Sequence, residues 1–467
     1  MIFQQFTQNT LRPIHFALIV AAMTVLLGYD LGTLFVNLQY VTDFHILDEN
    51  EVDVVFGAYV LGAILGAALG CGLCSGSGRR ISIIGGASLG MASSLASVFA
   101  PSFSIFLCAQ LILGLSFSLF VLSALIYICE IALPGNRGFC SCFVPIAFLL
   151  GSEIAILTPD WLPRGDGFPL FLGLLTLHFA AICMAIIKLP ESPRWLALSG
   201  LSDAALSVLF NLRNDMGIAA RELAGVNECC RNEERGAELF LQNNHFRKLI
   251  WLLLSLALCL QLSGVIIIPY ALSDLVIKTS FSEYLFVFSY SYNLLKASFT
   301  VALFGAISAV FTVDRCGRRL PLLISAIVSS ITLLILSFIS YGEIKFLGVI
   351  FISTLIILFI YSSSVFFCCF LAVLVCELIP LRGREFGLAL VLVVACVAIL
   401  LGLQMFVDII TKVDFKGLFF IQFIFAALLV YITYNFVPNT ANSAIENIEN
   451  RLFNGRDLVN LGNKTKP

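Results

Sequence analysis

Charge is what this sequence has least of. Only 12% of its 467 residues are Asp, Glu, Lys or Arg, against 60% hydrophobic. A soluble domain carries about 25% charged residues, so no water-facing surface can be built from this composition. The net charge of −2 offers no basic face to a nucleic acid. Fifteen Cys are present, yet most lie in apolar runs, where Cys acts as a small apolar residue. Cys71-Gly-Leu-Cys74 has CxxC spacing but closes such a run with no His pair nearby, which argues against redox or zinc chemistry. No metal or other cofactor is expected. No cleavable signal peptide is expected either. After Arg12 the first apolar run reaches about Asn37, longer than an h-region of about 7–15 residues, and reads as a span.

What is present is a series of apolar runs, each close to the roughly 20 residues that cross a bilayer as helix. Twelve are expected, near 14–37, 53–74, 81–100, 103–128, 139–158, 168–188, 249–272, 284–312, 320–341, 345–376, 386–410 and 416–437. The tenth is longer than a bilayer requires, which calls for a tilt, a kink or a later start. The fold class is an all-α membrane protein. Its expected parts are a six-helix half (1–188), a charged helical link (189–248), a second six-helix half (249–437) and a tail (438–467). In the link, Leu201-Ser-Asp-Ala-Ala-Leu-Ser-Val-Leu-Phe carries apolar residues at helical spacing. It reads as a surface helix, as a latch between the halves, or as both. Lys and Arg concentrate on one set of loops, whereas the 38–52 loop has acidic residues only. The positive-inside rule places both termini and the link in the cytosol, in a plasma or cell inner membrane.

Internal repeats set the architecture. Glu130…Arg137 recurs as Glu377…Arg384, and Gly78-Arg79-Arg80 recurs as Gly317-Arg318-Arg319. Pro190 closes the sixth run as Pro438 closes the twelfth. Two duplicated halves with a site between them near the midplane form a transporter architecture. Seven-residue spacing would put Glu130 and Arg137 two turns apart on one helical stripe. Charge networks of this kind at helix ends can close one side of a transporter. The plainer account is topology, with Arg obeying the positive-inside rule and Glu neutralising it.

These motifs resemble the sugar porter family of the major facilitator superfamily, which holds hexose facilitators and proton-linked sugar symporters. Pro190-Glu191-Ser192-Pro193-Arg194-Trp195-Leu196 matches the close of its sixth span, and Asp314-Arg315-Cys316-Gly317-Arg318-Arg319 its loop between spans eight and nine. Gly28-Tyr29-Asp30 and Gln261-Leu-Ser-Gly264 resemble its first- and seventh-span motifs, so the likeness covers about 14–450. The resemblance implies the twelve-helix major facilitator fold. It also implies a cytosolic gate of Glu130, Arg137, Glu377, Arg384, Arg79, Arg80, Asp314, Arg315, Arg318, Arg319, Glu191 and Arg194. Departures are equally specific. The first-half loop reads Ser75-Gly-Ser-Gly-Arg-Arg80 with no Asp-Arg, Arg384 is followed by Glu385, and the tail begins Pro438-Asn-Thr-Ala-Asn442. Family sugar contacts fall on Pro145, Leu260, Ile266, Ala302 and Ala372, and Gln261 alone of the best-known group is kept.

Polar groups inside a bilayer are costly and functional by default. Asp30 could carry a proton or hydrogen-bond as a neutral acid, and the Arg that partners it in the family falls on Gln110. Gln261, Asp30, Gln110, Tyr270 and Gln404 are the substrate-contact candidates, with Tyr59, Tyr127 and Asn293 as weaker ones. His178 and Ser362–Ser364 read first as packing. Glu153 and Lys296 lie at similar depth in spans five and eight and could pair across the halves, although Lys296 could equally snorkel to the outer surface. The expected function is secondary transport of a sugar or polyol by alternating access, with no reaction catalysed and a proton as possible partner. Two alternatives stay open: a transporter-like sensor without flux, and a transporter of a less polar solute. The other expected partner is the lipid bilayer, and a monomer is expected.

Overall fold

The computed structural model describes residues 8–40, 49–161, 183, 189–229, 234–270, 284–339, 346–412, 414–440 and 445–461. Eleven of the twelve expected spans are helical among them. Nine are long and apolar enough to cross a membrane, and the first (Gln8–Tyr40) and third (Arg79–Val98) complete the set. The sixth and His178 fall outside the described residues. Leu61, Leu65 and Leu69 of the second span are about half exposed at four-residue spacing. That stripe suits lipid rather than water.

Backbone chemistry sets the breaks. The fourth span, Phe103–Ile131, stops before Pro134-Gly135, and Arg137 begins the next helical segment, Arg137–Ser141. Proline lacks the N–H that would continue a helix. Glu130 and Arg137 therefore do not share one helical stripe, contrary to their spacing. The same break recurs around Pro380, between Cys376–Leu378 and Arg384–Lys412. The tenth span runs Phe346–Phe367 as α-helix and Cys368–Val375 as π-helix. It keeps its full length and changes helix type near the link end, a feature frequent at functional sites.

Packing follows the duplication. Within the first half, span one packs on five, and two on four; within the second, their equivalents pack likewise, seven on eleven and eight on ten. The second and fourth spans approach closely because Gly62 and Gly114 face backbone, where a Cβ would fall 1.9 Å from the Leu111 and Tyr59 carbonyl oxygens respectively. Between halves, span two packs on eleven and span five on eight, two contacts that the internal repeat makes equivalent.

The link is helical where expected. Ser192 caps Pro193–Leu198 by accepting from the Trp195 N–H. Ser202–Arg213 follows, burying Ala205, Leu209 and Leu212. Its apolar face joins a small core that contains Leu381 from the second half, so the link touches both halves.

Candidate functional site

At the link end of the bundle, four arginines are fully buried: Arg79, Arg137, Arg318 and Arg384. In the first half Arg79 Nε and Nη2 donate to Glu130 Oε2 and Oε1 at 3.0 and 3.1 Å. Arg79 also meets Glu385 of the second half. Arg384 reaches across the halves to Glu130 Oε1 at 3.2 Å, and the Ser192 hydroxyl donates to Glu130 Oε2. Glu191 Oε1 accepts from the Arg79, Arg80 and Ser192 backbone N–H groups at 3.0, 3.1 and 2.9 Å, fixing the start of the third span. Gly78 makes this possible: its φ is +96°, and a Cβ there would lie 2.6 Å from Glu191 Oε2. Arg194 donates to the Glu130 carbonyl at 2.7 Å, and Arg213 donates to the Ile131 carbonyl at 3.0 Å. Burial works against the Arg79 charge, and the Glu130 and Glu385 carboxylates offset that cost.

The second half repeats the pattern with different parts. Arg318 Nε and Nη2 donate to Glu377 Oε2 and Oε1 at 3.1 and 2.9 Å. Burial again opposes the charge, and Glu377 keeps the Arg318 pKa raised. The Arg318 N–H donates to Asn439 Oδ1 at 3.1 Å, and Thr440 Oγ1 donates to Glu377 Oε2 at 2.6 Å. Arg137 lies 3.9 Å from Glu377 Oε1 across the halves. Asp314 pairs with Arg318 at 3.1 Å and accepts from the Phe139 N–H at 2.9 Å. Each glutamate thus binds the loop arginine of its own half and faces the arginine of the other. The pairing is crossed, Glu130 with Arg384 and Glu377 with Arg137. Three expected gate residues stand outside this cage. Arg315 is exposed and Arg80 half-buried; Arg319 donates to the Tyr434 carbonyl and lies over its ring.

Behind the cage, between the halves, lies a cavity of about 230 Å³. Gln261 of the expected substrate contacts lines it, as do Tyr59, Ser363 and Ser364. Pro145, Leu260, Ile266 and Ala302 line it as well, so four of the five positions where the resemblance lost its sugar contacts face the central space, and Ala372 is not among the lining residues. Gln110 does not reach it: buried between spans three and four, it donates to Ser97 Oγ at 3.2 Å. Gln404 and Asn293 are exposed, and Tyr127 donates to the Pro190 carbonyl. The side chains of Asp30 and Tyr270 are outside those described. Gly28, of the same motif as Asp30, packs where a Cβ would fall 1.9 Å from the Phe148 oxygen. Ser362 bonds Ser329 at 2.8 Å, as helix packing requires.

Towards the other end, Glu153 of the fifth span is 8% exposed and accepts from Thr300 Oγ1 of the eighth at 2.6 Å. Lys296, one turn away, acts on Glu153 electrostatically. Sequence reading missed Thr300, Glu385, Ser192 and Thr440. For the last two a signal existed, since both follow the repeat that relates Pro190 to Pro438.

A helical bundle of two repeated halves, with a cavity between them and charges sealing one end, is the architecture of a major facilitator transporter. Residues 16–452 match the family described as Sugar (and other) transporter, and the chain belongs to that family. It is a multi-pass integral membrane protein of a transporter family, not an enzyme. It is 28% identical to the arabinose-proton symporter of Escherichia coli K12, over 97% of each chain. It is 26% identical to the galactose-proton symporter of the same organism, over 96% of each. Its fold matches the proton:xylose symporter XylE bound to 6-bromo-6-deoxy-D-glucose with a TM-score of 0.80 and 19% identity, covering 96% of this chain and 100% of that one.

Proposed function

We propose that this protein carries a sugar or related polyol through the bilayer by alternating access, in symport with a proton. The observation that carries this reading is the crossed charge cage. Its buried pairs join the halves at the link end, so that end is closed while the cage holds. Rocking of the halves would separate Glu130 from Arg384 and Glu377 from Arg137 and open the cavity to that side. The excess of Lys and Arg there makes it the cytosolic side, with both termini cytosolic, in a plasma or cell inner membrane. The sugar and proton partners follow the names of the two bacterial relatives. Asp30 is the proposed proton carrier, Gln261 a proposed solute contact, and the monomer the working unit. Glu153, held to the eighth span by Thr300 and facing the charge of Lys296, is a tie on the opposite side of the cavity.

Uptake of labelled arabinose, galactose and xylose into proteoliposomes, with and without an inward proton gradient, tests this reading. Gradient-driven accumulation is expected and should be lost in Asp30→Asn, with exchange retained. Uptake indifferent to pH from about 5 to 8 would remove the proton. Absence of flux for every solute, beside measurable binding, would make the protein a sensor.

A further inference from the structure

The central cavity, taken as the transport site proposed above, has a wall that specifies its solute more narrowly. Its volume of about 230 Å³ falls below the roughly 300–1,000 Å³ of pockets for drug-sized ligands. That volume accommodates one small ring. Phe56, Phe117, Phe148, Phe299, Phe367 and Phe370 bring six phenyl rings to the wall. Ser298, Ser363 and Ser364 reach it too, but their hydroxyls already donate to the Leu294, Ile360 and Ala302 carbonyls. Those hydroxyls are left with acceptor capacity only, and among the described lining residues two side chains carry a buried polar atom with no partner. Gln261, of the second half, is 4% exposed and its Oε1 has no hydrogen-bond partner. Ser118, of the first half, is 1% exposed and its hydroxyl has none either.

A fully hydroxylated pyranose would turn several of its hydroxyls towards phenyl rings. Each hydroxyl buried without a partner weakens binding by roughly 5- to 150-fold. We propose that the cavity selects a partly deoxygenated ring, a dideoxy sugar or equivalent cyclic polyol with two or three hydroxyls and a hydrocarbon face. The hydroxyl edge meets Gln261 and Ser118, and the hydrocarbon face meets the phenylalanines. Because those two polar contacts come from opposite halves, a solute that engages both bridges the halves that must move.

Calorimetric binding of galactose, 2-deoxygalactose and 2,6-dideoxygalactose to the full-length protein tests the class. Affinity should rise at each step, by at least tenfold from the first sugar to the last. Gln261→Leu and, separately, Ser118→Ala should each weaken the dideoxy sugar several-fold. Leu260→Gln combined with Ile266→Asn returns amides to the wall and should narrow the preference or invert it. Galactose binding as tightly as 2,6-dideoxygalactose, or no binding of the latter, overturns the proposal. Counterflow in proteoliposomes separates the two readings. If galactose is preferred in binding and is transported, the transport reading stands and the solute class falls. If 2,6-dideoxygalactose is preferred in binding but never crosses, the class stands and transport falls.

Discussion

The two halves build the same cage from different carboxylates. In the second half the loop acid is Asp314, and it fits because the facing position is Gly138, where a Cβ would sit 2.5 Å from Asp314 Oδ1. In the first half the loop position is Ser75, and the residue equivalent to Gly138 is Glu385, which reaches Arg79. The negative charge has moved from the loop to the start of the facing helix, and the loop arginine keeps a second acid in both cases. A departure from the family motif at Ser75 is therefore answered by another at Glu385. A similar exchange occurs where Asn439 takes the Arg318 N–H as Glu191 takes that of Arg79. The halves also differ in how tightly they hold each other. Arg384 hydrogen-bonds Glu130 at 3.2 Å, whereas Arg137 stands 3.9 Å from Glu377, beyond hydrogen-bond distance.

Removing the tighter hub should have the largest effect. Glu130→Gln removes the negative charge and one of the two acceptor oxygens shared by Arg79, Arg384 and Ser192. Breaking a buried pair costs about 3–5 kcal/mol, enough to shift a closed-to-open ratio by a hundredfold or more. Cys129, whose thiol donates to the Cys376 carbonyl across the halves at 3.3 Å, should then become reactive to maleimide from the link side. Unchanged labelling would break the gate reading.

The comparison sharpens with the crossed arginines. Arg384→Ala should raise Cys129 labelling and slow uptake by about tenfold, and Arg137→Ala by no more than a few-fold. Equal effects would mean that 3.2 and 3.9 Å do not report the strength of the two ties.

The carboxylate exchange allows a rescue. Glu385→Gly should loosen the first-half cage several-fold. Adding Ser75→Asp should recover much of the loss by copying the Asp314–Gly138 arrangement. A double variant no better than Glu385→Gly would show that the exchange is not compensating.

The opposite seam should respond less, because one hydroxyl–carboxylate hydrogen bond contributes about 1.5–3 kcal/mol, below the cost of breaking a buried pair. Thr300→Val should speed opening on that side modestly. The swap of Glu153→Lys with Lys296→Glu should transport better than the worse single variant. A double variant that fails this comparison rejects the pair.

Much of this was legible in the chain. The duplication was visible in Gly78-Arg79-Arg80 and Gly317-Arg318-Arg319, since spacing survives where surrounding residues drift. The crossed pairing was hidden, because sequence distance links Glu130 to Arg137 and gives no sign that Pro134 turns the chain away. Chemistry alone makes Gln110 and Gln404 candidate solute contacts. Which face of a helix meets the cavity depends on neighbours from the other spans, so Gln110 went to a helix–helix contact and Gln404 to the exterior. Ser118 and the six phenylalanines of the cavity wall were not distinguishable from ordinary apolar span residues.

The smallest effect belongs to the tail, which closes the second half as the link closes the first. Arg194 and Arg213 of the link cap carbonyls at the end of the fourth span. Glu449 of the tail helix Ile445–Phe453 does the reverse, accepting from the Leu381 N–H at 2.9 Å just before Arg384. Glu449 is 2% exposed. Burial raises its pKa above the ordinary value of 4.5, against the pull of the Leu381 N–H, Arg384 and Arg382. A raised carboxyl favours the folded state most fully below 4.5, and that contribution is lost as pH rises through the folded-state value. The docked tail should accordingly be more heat-resistant near pH 5 than near pH 7. Glu449→Gln keeps an acceptor for Leu381 and removes the titration. Its thermal midpoint should match the parent at low pH, equal or exceed it at pH 7, and vary less between. A parent midpoint that climbs with pH over this window would show that Arg382 and Arg384 hold Glu449 charged. The tail would then lock the second half by ion pairing, as Glu222 does with Arg213 in the link.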